Sequence, residues 1–170
     1  MINNPKALHS LTTLSIYKIN IHFNQEYDLQ TLALRSGSRK CLFCIQEYGD
    51  VYAHTDLVNA NYARILVIAI STAGGLGEEQ DGEISSGLFR ISYFLRCLNQ
   101  GKYNSFPPLP LLAQISKEQI EEEGGSEEIE SQLINKGYNY INVKANQAKA
   151  AILNYFIDIN NTRPEWYRYR

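Results

Sequence analysis

Cys41 and Cys44 stand as "CLFC", the spacing at which two thiolates can share one zinc ion. A closed zinc site needs four ligands, and Cys97, His9, His22 and His54 form no second paired motif. On a helix the two thiols fall on one stripe with Ile45 and Tyr48, so the pair reads as small core residues and no metal is expected. A thioredoxin-like redox role requires the pair at a helix start after a strand, which the flanking residues do not offer. An odd, small number of cysteines argues against a disulfide scaffold and for a reducing compartment.

A second candidate is "STAGGLGEEQDG" (71–82), which follows "RILVIAI". Strand, glycine-rich loop and helix, in that order, could cradle a phosphate on free backbone amides. Such a cradle needs a positive local field. Here Glu78, Glu79, Asp81 and Glu83 crowd the loop, and no Lys-Ser/Thr follows. Residues 74–83 therefore read as a flexible acidic loop, without the ordered ligand spacing of an EF-hand. An α/β enzyme holding a nucleotide or phosphate ligand at the glycine-rich loop 74–82 is the alternative reading.

Two further groups bear on binding. Glu118, Glu121, Glu122, Glu123, Glu127, Glu128 and Glu130 could meet a basic partner, though a run of charge reads more simply as a solvated helix face. The tail "TRPEWYRYR" (162–170) gathers Trp166, Tyr167, Arg168 and Arg170, residue types that anchor protein interfaces. Self-capping by Trp166 is the competing reading, and stacking of the tail on RNA a minor one. No Ser/His/Asp or Cys/His set has a sequence context for nucleophilic catalysis, so no catalytic residue and no cofactor is expected.

These residues must be carried by a fold. With 170 residues, 44% hydrophobic and 20% charged, the chain is long enough and apolar enough to bury a core as one globular domain. Sixteen basic against eighteen acidic residues give a net charge of -2, which lacks the concentrated basic footprint of a DNA-binding protein. The apolar run "ILVIAI" (65–70) is far shorter than the ~20 residues of a membrane span, so none is expected. Residues 1–25 contain no acid and are rich in Ser and Thr, as a mitochondrial leader would be. They lack arginine, however, and an ordinary N-terminal helix is expected instead.

The punctuation is helical throughout. Asn4-Pro5 starts a helix carrying Ala7, Leu8, Leu11 and Leu14. A second apolar set, Leu29, Leu32 and Ala33, runs toward Gly37. Ser38 to Tyr48 forms the next helix, stopped by Gly49. Thr55 or Asp56 caps a helix over 56–73, and 84–99 follows, apolar on most of its circumference and stopped by Gly101. "FPPLPLL" (106–112) is a rigid connector. Ser116-x-x-Gln119 reads as a capping box, Gly124-Gly125 as a stop, Ser126 as the next cap, Gly137 as a stop and Asn142 as the cap of a last helix reaching Ile159. The expected class is all-α; the β-branched run 64–71 leaves open an α/β alternative with a strand there.

The stretch 117–160 resembles one armadillo repeat. "EQIEEEGGSEEIESQLIN" is similar to the first two helices of the unit and "VKANQAKAAILNYF" to the third. The likeness covers about a quarter of the chain and rests on degenerate motifs. It implies that Val143, Ala148, Ala151 and Ile152 are core residues and that Asn154 lines a concave groove. Residues 38–99 would hold an earlier unit (38–48, 56–73, 84–99), departing from the family pattern in the loop 74–83 and in lacking the groove asparagine. Residues 5–36 would be a partial one. The resemblance implies a short α-solenoid over residues 1–161 with an Arg/aromatic tail at 162–170. Its expected work is that of a non-enzymatic scaffold or adaptor, or a subunit of a larger complex, in the cytoplasm, with a mitochondrial site left open. Binding to other proteins is expected through Asn146, Lys149 and Asn154 together with Trp166, Tyr167, Arg168 and Arg170.

Overall fold

The computed structural model describes residues 5–19, 21, 23–71, 81–134 and 140–153. Among them lie eight α-helices: α1 (Pro5–Ser15), α2 (Gln25–Tyr48), α3 (Val51–Asn59), α4 (Tyr62–Ser71), α5 (Asp81–Gln100), α6 (Pro110–Glu122), α7 (Gly125–Leu133) and α8 (Ile141–Ile152). The described residues contain no strand, only an isolated bridge between Lys102 and Phe106. Residues 64–71 are helical, in α4, which removes the α/β alternative and with it the strand that a phosphate cradle at 74–82 would require.

Local chemistry explains most boundaries. The Asn24 side chain accepts from the Tyr27 N–H, and Glu26 and Asp28 sit in the first turn of α2, where the helix dipole favours them. Asp50 caps α3 by accepting from the Ala53 N–H at 3.0 Å, so the cap lies well before Thr55 and Asp56. The expected helix 56–73 is in fact broken at Asn61, whose φ of 57° reverses the backbone; asparagine tolerates that left-handed geometry better than most residues. Gly101 ends α5 with φ +75°, and a Cβ there would lie 2.7 Å from the Phe106 carbonyl oxygen. Only glycine fits that turn.

Three expected caps are displaced. Helix α6 begins at Pro110, in the position where a missing N–H is harmless. Ser116 and Gln119 are therefore mid-helix and buried: Ser116 bonds back to the Leu112 carbonyl, and the Gln119 amide donates to the Val58 carbonyl at 2.9 Å. Likewise Gly124, at φ 72°, precedes α7, leaving Ser126 inside the helix, and Tyr140 rather than Asn142 flanks the start of α8.

Helix α2 runs unbroken through Gly37, and its inward face is largely polar: Thr31, Arg35, Ser38, Arg39, Leu42 and Gln46. The expected stripe is rotated away. Cys41 and Cys44 are exposed, Tyr48 is exposed, and Leu42 is the buried apolar residue of that segment. Several of its groups find partners, as burial of an unpaired polar group would be unfavourable, although Gln46 Nε2 is buried without a hydrogen bond among the described residues. The Tyr62 hydroxyl, fully buried, donates to Gln46 Oε1 at 3.0 Å.

Helix α5 lies at the centre, packed along α8 and against α4 and α6, with α2 also touching it. Leu88, Ile91, Phe94, Leu95 and Leu98 of α5 join Leu57, Val58, Leu66, Ile70, Ile120, Ala148 and Ala151 in one core. Each such leucine or isoleucine, fully removed from water, contributes about 1.5–3 kcal/mol. Of the core residues implied by the resemblance, Ala148, Ala151 and Ile152 are buried, whereas Val143 is 45% exposed. The helices correspond in order: α3 touches α6, α4 touches α7, and α5 packs along α8.

Candidate binding face on α2, α5 and α8

Two bonds hold α2 to α5. The Ser36 hydroxyl donates to Glu83 Oε1 at 2.7 Å, and Arg39 Nη2 lies 3.5 Å from Glu83 Oε2 with its side chain only 1% exposed. One turn further along α2, Phe43 meets two rings of α5, with centroids 6.1 Å from Phe89 and 6.3 Å from Tyr93. Phe89 and Tyr93, one helical turn apart, lie nearly parallel at 5.8 Å and 12°. These separations are typical of attractive ring pairs.

Each ring carries a cation. The Arg90 guanidinium lies 5.4 Å from the Phe43 centroid, that of Arg96 5.2 Å from Tyr93, and the Lys144 ammonium of α8 5.0 Å from Phe89. Cations over ring faces gain about 0.5–1 kcal/mol at exposed sites. Arg90 is buried, whereas Phe43, Tyr93, Arg96 and Lys144 are half-buried and Phe89 is exposed. Among the described residues no carboxylate pairs with Arg90, Arg96 or Lys144. Burial pushes the Tyr93 hydroxyl well above the usual tyrosine range, and neighbouring Cys97 and Glu47 add to the shift, so the ring stays neutral. The face thus interleaves aromatic rings with basic groups, with Phe89 exposed, Arg96 and Lys144 half-buried and Arg90 buried beside Phe43.

Sequence reasoning missed this cluster because it read residues 87–98 as apolar on most of their circumference and so buried on several sides. Phe89 and Tyr93 in fact face outward enough to form the surface. The signal was present: Phe89, Tyr93 and Arg96 recur at i, i+4 and i+7, a helical stripe of aromatic and basic residues. The residues expected from the sequence lie elsewhere on α8. The Asn146 amide donates to the Asn142 carbonyl at 3.0 Å, and the Lys149 ammonium donates to Glu130 Oε1 of α7 at 2.7 Å. That bond holds the Glu130 carboxyl below its ordinary range. Asn154, Trp166, Tyr167, Arg168 and Arg170 lie outside the described residues, as do residues 72–80 of the acidic loop.

A second aromatic group surrounds Lys18, whose ammonium is 5.4, 5.0 and 4.8 Å from the ring centroids of Tyr17, Phe23 and Tyr27. It also donates to the Tyr27 hydroxyl, a bond that raises the lysine and lowers the tyrosine. This cage is filled by the chain's own side chain and serves the α1–α2 connection.

His54 is the one fully buried histidine among the described residues. Its Nδ1 lies 3.0 Å from the Asp50 carbonyl, which fixes the proton on that nitrogen, and the ring packs against Phe94 and Phe106. Nε2 is buried without a partner. Burial depresses its proton affinity, aided by Lys102 and opposed by the Asp50 carbonyl and carboxylate. The unfolded chain, near the ordinary pKa of about 6.5, then binds the proton more readily than the folded one. The stabilising contribution of neutral His54 is complete above that pH and is lost as pH falls toward the lower folded value. Thermal melts at successive pH values below neutrality should therefore fall more steeply for the native chain than for His54→Gln; equal slopes would contradict this assignment.

Among the described residues no three His, Cys, Asp or Glu side chains gather to hold a metal ion, and no helix is long and apolar enough to cross a membrane. Compared with protein-family models, curated proteins and solved structures, the chain matches none.

Proposed function

We propose that the chain is a short armadillo-like α-solenoid that acts as a non-enzymatic scaffold or adaptor, binding other proteins as a subunit of a larger assembly in a reducing, cytoplasmic setting. The ordered contacts of α3 with α6, α4 with α7 and α5 with α8 support a stack of two helix triples, with α1 and α2 preceding them. In such a stack each unit buries its apolar face against its neighbour, and the third helices together present a surface. The observation that carries the reading is the aromatic and cationic face on α5 and α8, the helices in that third position. Aromatic side chains and arginine are the types that dominate interface energetics.

The test is affinity purification of the full chain from its native cell, with quantitative comparison to the variant Phe89→Ala/Arg96→Glu/Lys144→Glu. A defined partner set, depleted about tenfold or more by the variant at unchanged helicity, is expected. Identical recovery would remove the face from the proposal. A parallel variant, Trp166→Ala/Arg168→Ala/Arg170→Ala, asks the same of the tail, which with Asn146, Lys149 and Asn154 forms the second proposed contact.

A further inference from the structure

We infer that the α2–α5–α8 face receives an acidic segment of a partner protein, one in which carboxylates alternate with apolar side chains; this rests on the protein-binding reading above. Three features lead there. Arg90, Arg96 and Lys144 converge from two helices, and no carboxylate of the described residues pairs with them, although the chain as a whole is net negative. Elsewhere among the described residues two cations pair with acids, Arg64 with Glu123 and Lys149 with Glu130.

Beside the cations lie Phe43, Phe89 and Tyr93, of which Phe89 is the most exposed, and they offer apolar surface between the charges. A partner with carboxylates alone would desolvate against that surface without gain. One with alternating leucine or phenylalanine would bury them on it.

The same geometry disfavours a single-stranded nucleic acid. Sequence-tolerant binding of bases needs free ring faces on which to stack. Here each ring already has a cation lying against it and packs against its neighbours. Long-range attraction is also missing, since a net charge of -2 and the acidic run from Glu118 to Glu130 repel a polyanion on approach. A short peptide carries far fewer charges and is drawn locally. Glu47, beside the Tyr93 hydroxyl, sets a boundary at one edge, where a partner carboxylate would be repelled.

The experiment is fluorescence anisotropy with the full chain and three labelled probes: a short peptide alternating glutamate with leucine and phenylalanine, its lysine counterpart, and a uridine oligonucleotide of similar length. The acidic peptide should bind, more weakly as salt rises, and Arg96→Glu/Lys144→Glu should weaken it about tenfold or more. Arg96 and Lys144 are half-exposed, so the variant should keep the native circular dichroism spectrum and melting temperature. Lysine-peptide binding equal to or tighter than that of the acidic peptide would overturn the inference, as would indifference to the charge reversal or preference for the oligonucleotide. Loss of native partners from the charge-reversed face, together with no binding of the acidic peptide, would overturn the partner class alone and leave the scaffold reading standing.

Discussion

Gly125→Ala is expected to lower stability by about 3 kcal/mol, a fall of about 6–12 °C in the melting temperature of a chain this size. Gly125 is buried where α7 enters against α4 and α6. A Cβ at that position would lie 2.6 Å from Ile120 Cγ2, 2.8 Å from the Ile120 carbonyl oxygen and 2.8 Å from Val67 Cγ2. Side-chain methyls can rotate aside, but the carbonyl belongs to the α6 backbone and cannot move without shifting the helix. Because Val67 sits on α4, the displacement would also pry apart the contact of α7 with α4. Gly37 is the internal control. It lies in α2 with nothing within 4 Å of its prospective Cβ, so Gly37→Ala should stabilise by about 0.5–1 kcal/mol through helix propensity alone. Denaturant melts of both variants decide the matter; equal and small effects would mean the close approach at Gly125 is absent in solution.

The second large effect is at Glu83. Its carboxylate lies 3.5 Å from the Arg39 guanidinium, and arginine cannot escape burial by losing its proton. Removing one partner of a buried pair costs about 3–5 kcal/mol; because the Glu83 side chain keeps 21% exposure, about 2–3 kcal/mol is expected for Glu83→Ala. The Ser36 bond to the same carboxylate is lost too, so both ties between α2 and α5 go together. Replacing both members by apolar residues, Arg39→Met with Glu83→Leu, should recover much of the stability, since no charge is then stranded. Urea titration of the single variants and the double variant measures the coupling directly. A coupling near zero would show that the pair holds nothing together. The tie is also what brings Phe43 to Phe89 and Tyr93, so Glu83→Ala should disturb the binding face before it unfolds the chain.

The architecture was readable where a single residue dictates the backbone. Gly101 at the end of α5 and Gly124 before α7 each mark a break that follows from their own geometry, whereas Pro110, read as part of a rigid connector, in fact starts α6. The all-helical class followed from that punctuation and from the 3.6-residue period, which outweighed the β-branched composition of 64–71. Reading failed where tertiary partners decide. Ser116 and Gln119 have the spacing of a capping box, yet Gln119 is spent on Val58, 61 residues away, and nothing local announces it. Residues Arg35, Arg39 and Gln46 look like a solvent face and are buried, because they meet partners from elsewhere in the fold. The apparent Cys41–Tyr48 stripe followed from counting hydrophobic residues alone. The break at Asn61 lacked the usual glycine or proline.

The candidate face was half legible. The Phe89–Tyr93–Arg96 stripe is visible at helical spacing, but Phe43 and Lys144 join it only through the packing of α2 and α8 on α5. A face assembled from three helices is the kind of feature that periodicity within one helix cannot reveal.

Amide hydrogen exchange on the chain in complex with its co-purified partner, against the chain alone, bears most directly on the claim that this surface is where the protein works. Slowed exchange or side-chain footprinting protection concentrated on α5 around Phe89 to Arg96, and on the first turns of α8 around Lys144, is the predicted pattern. Protection confined to the acidic α6–α7 side, with α5 and α8 unchanged on partner binding, would contradict it.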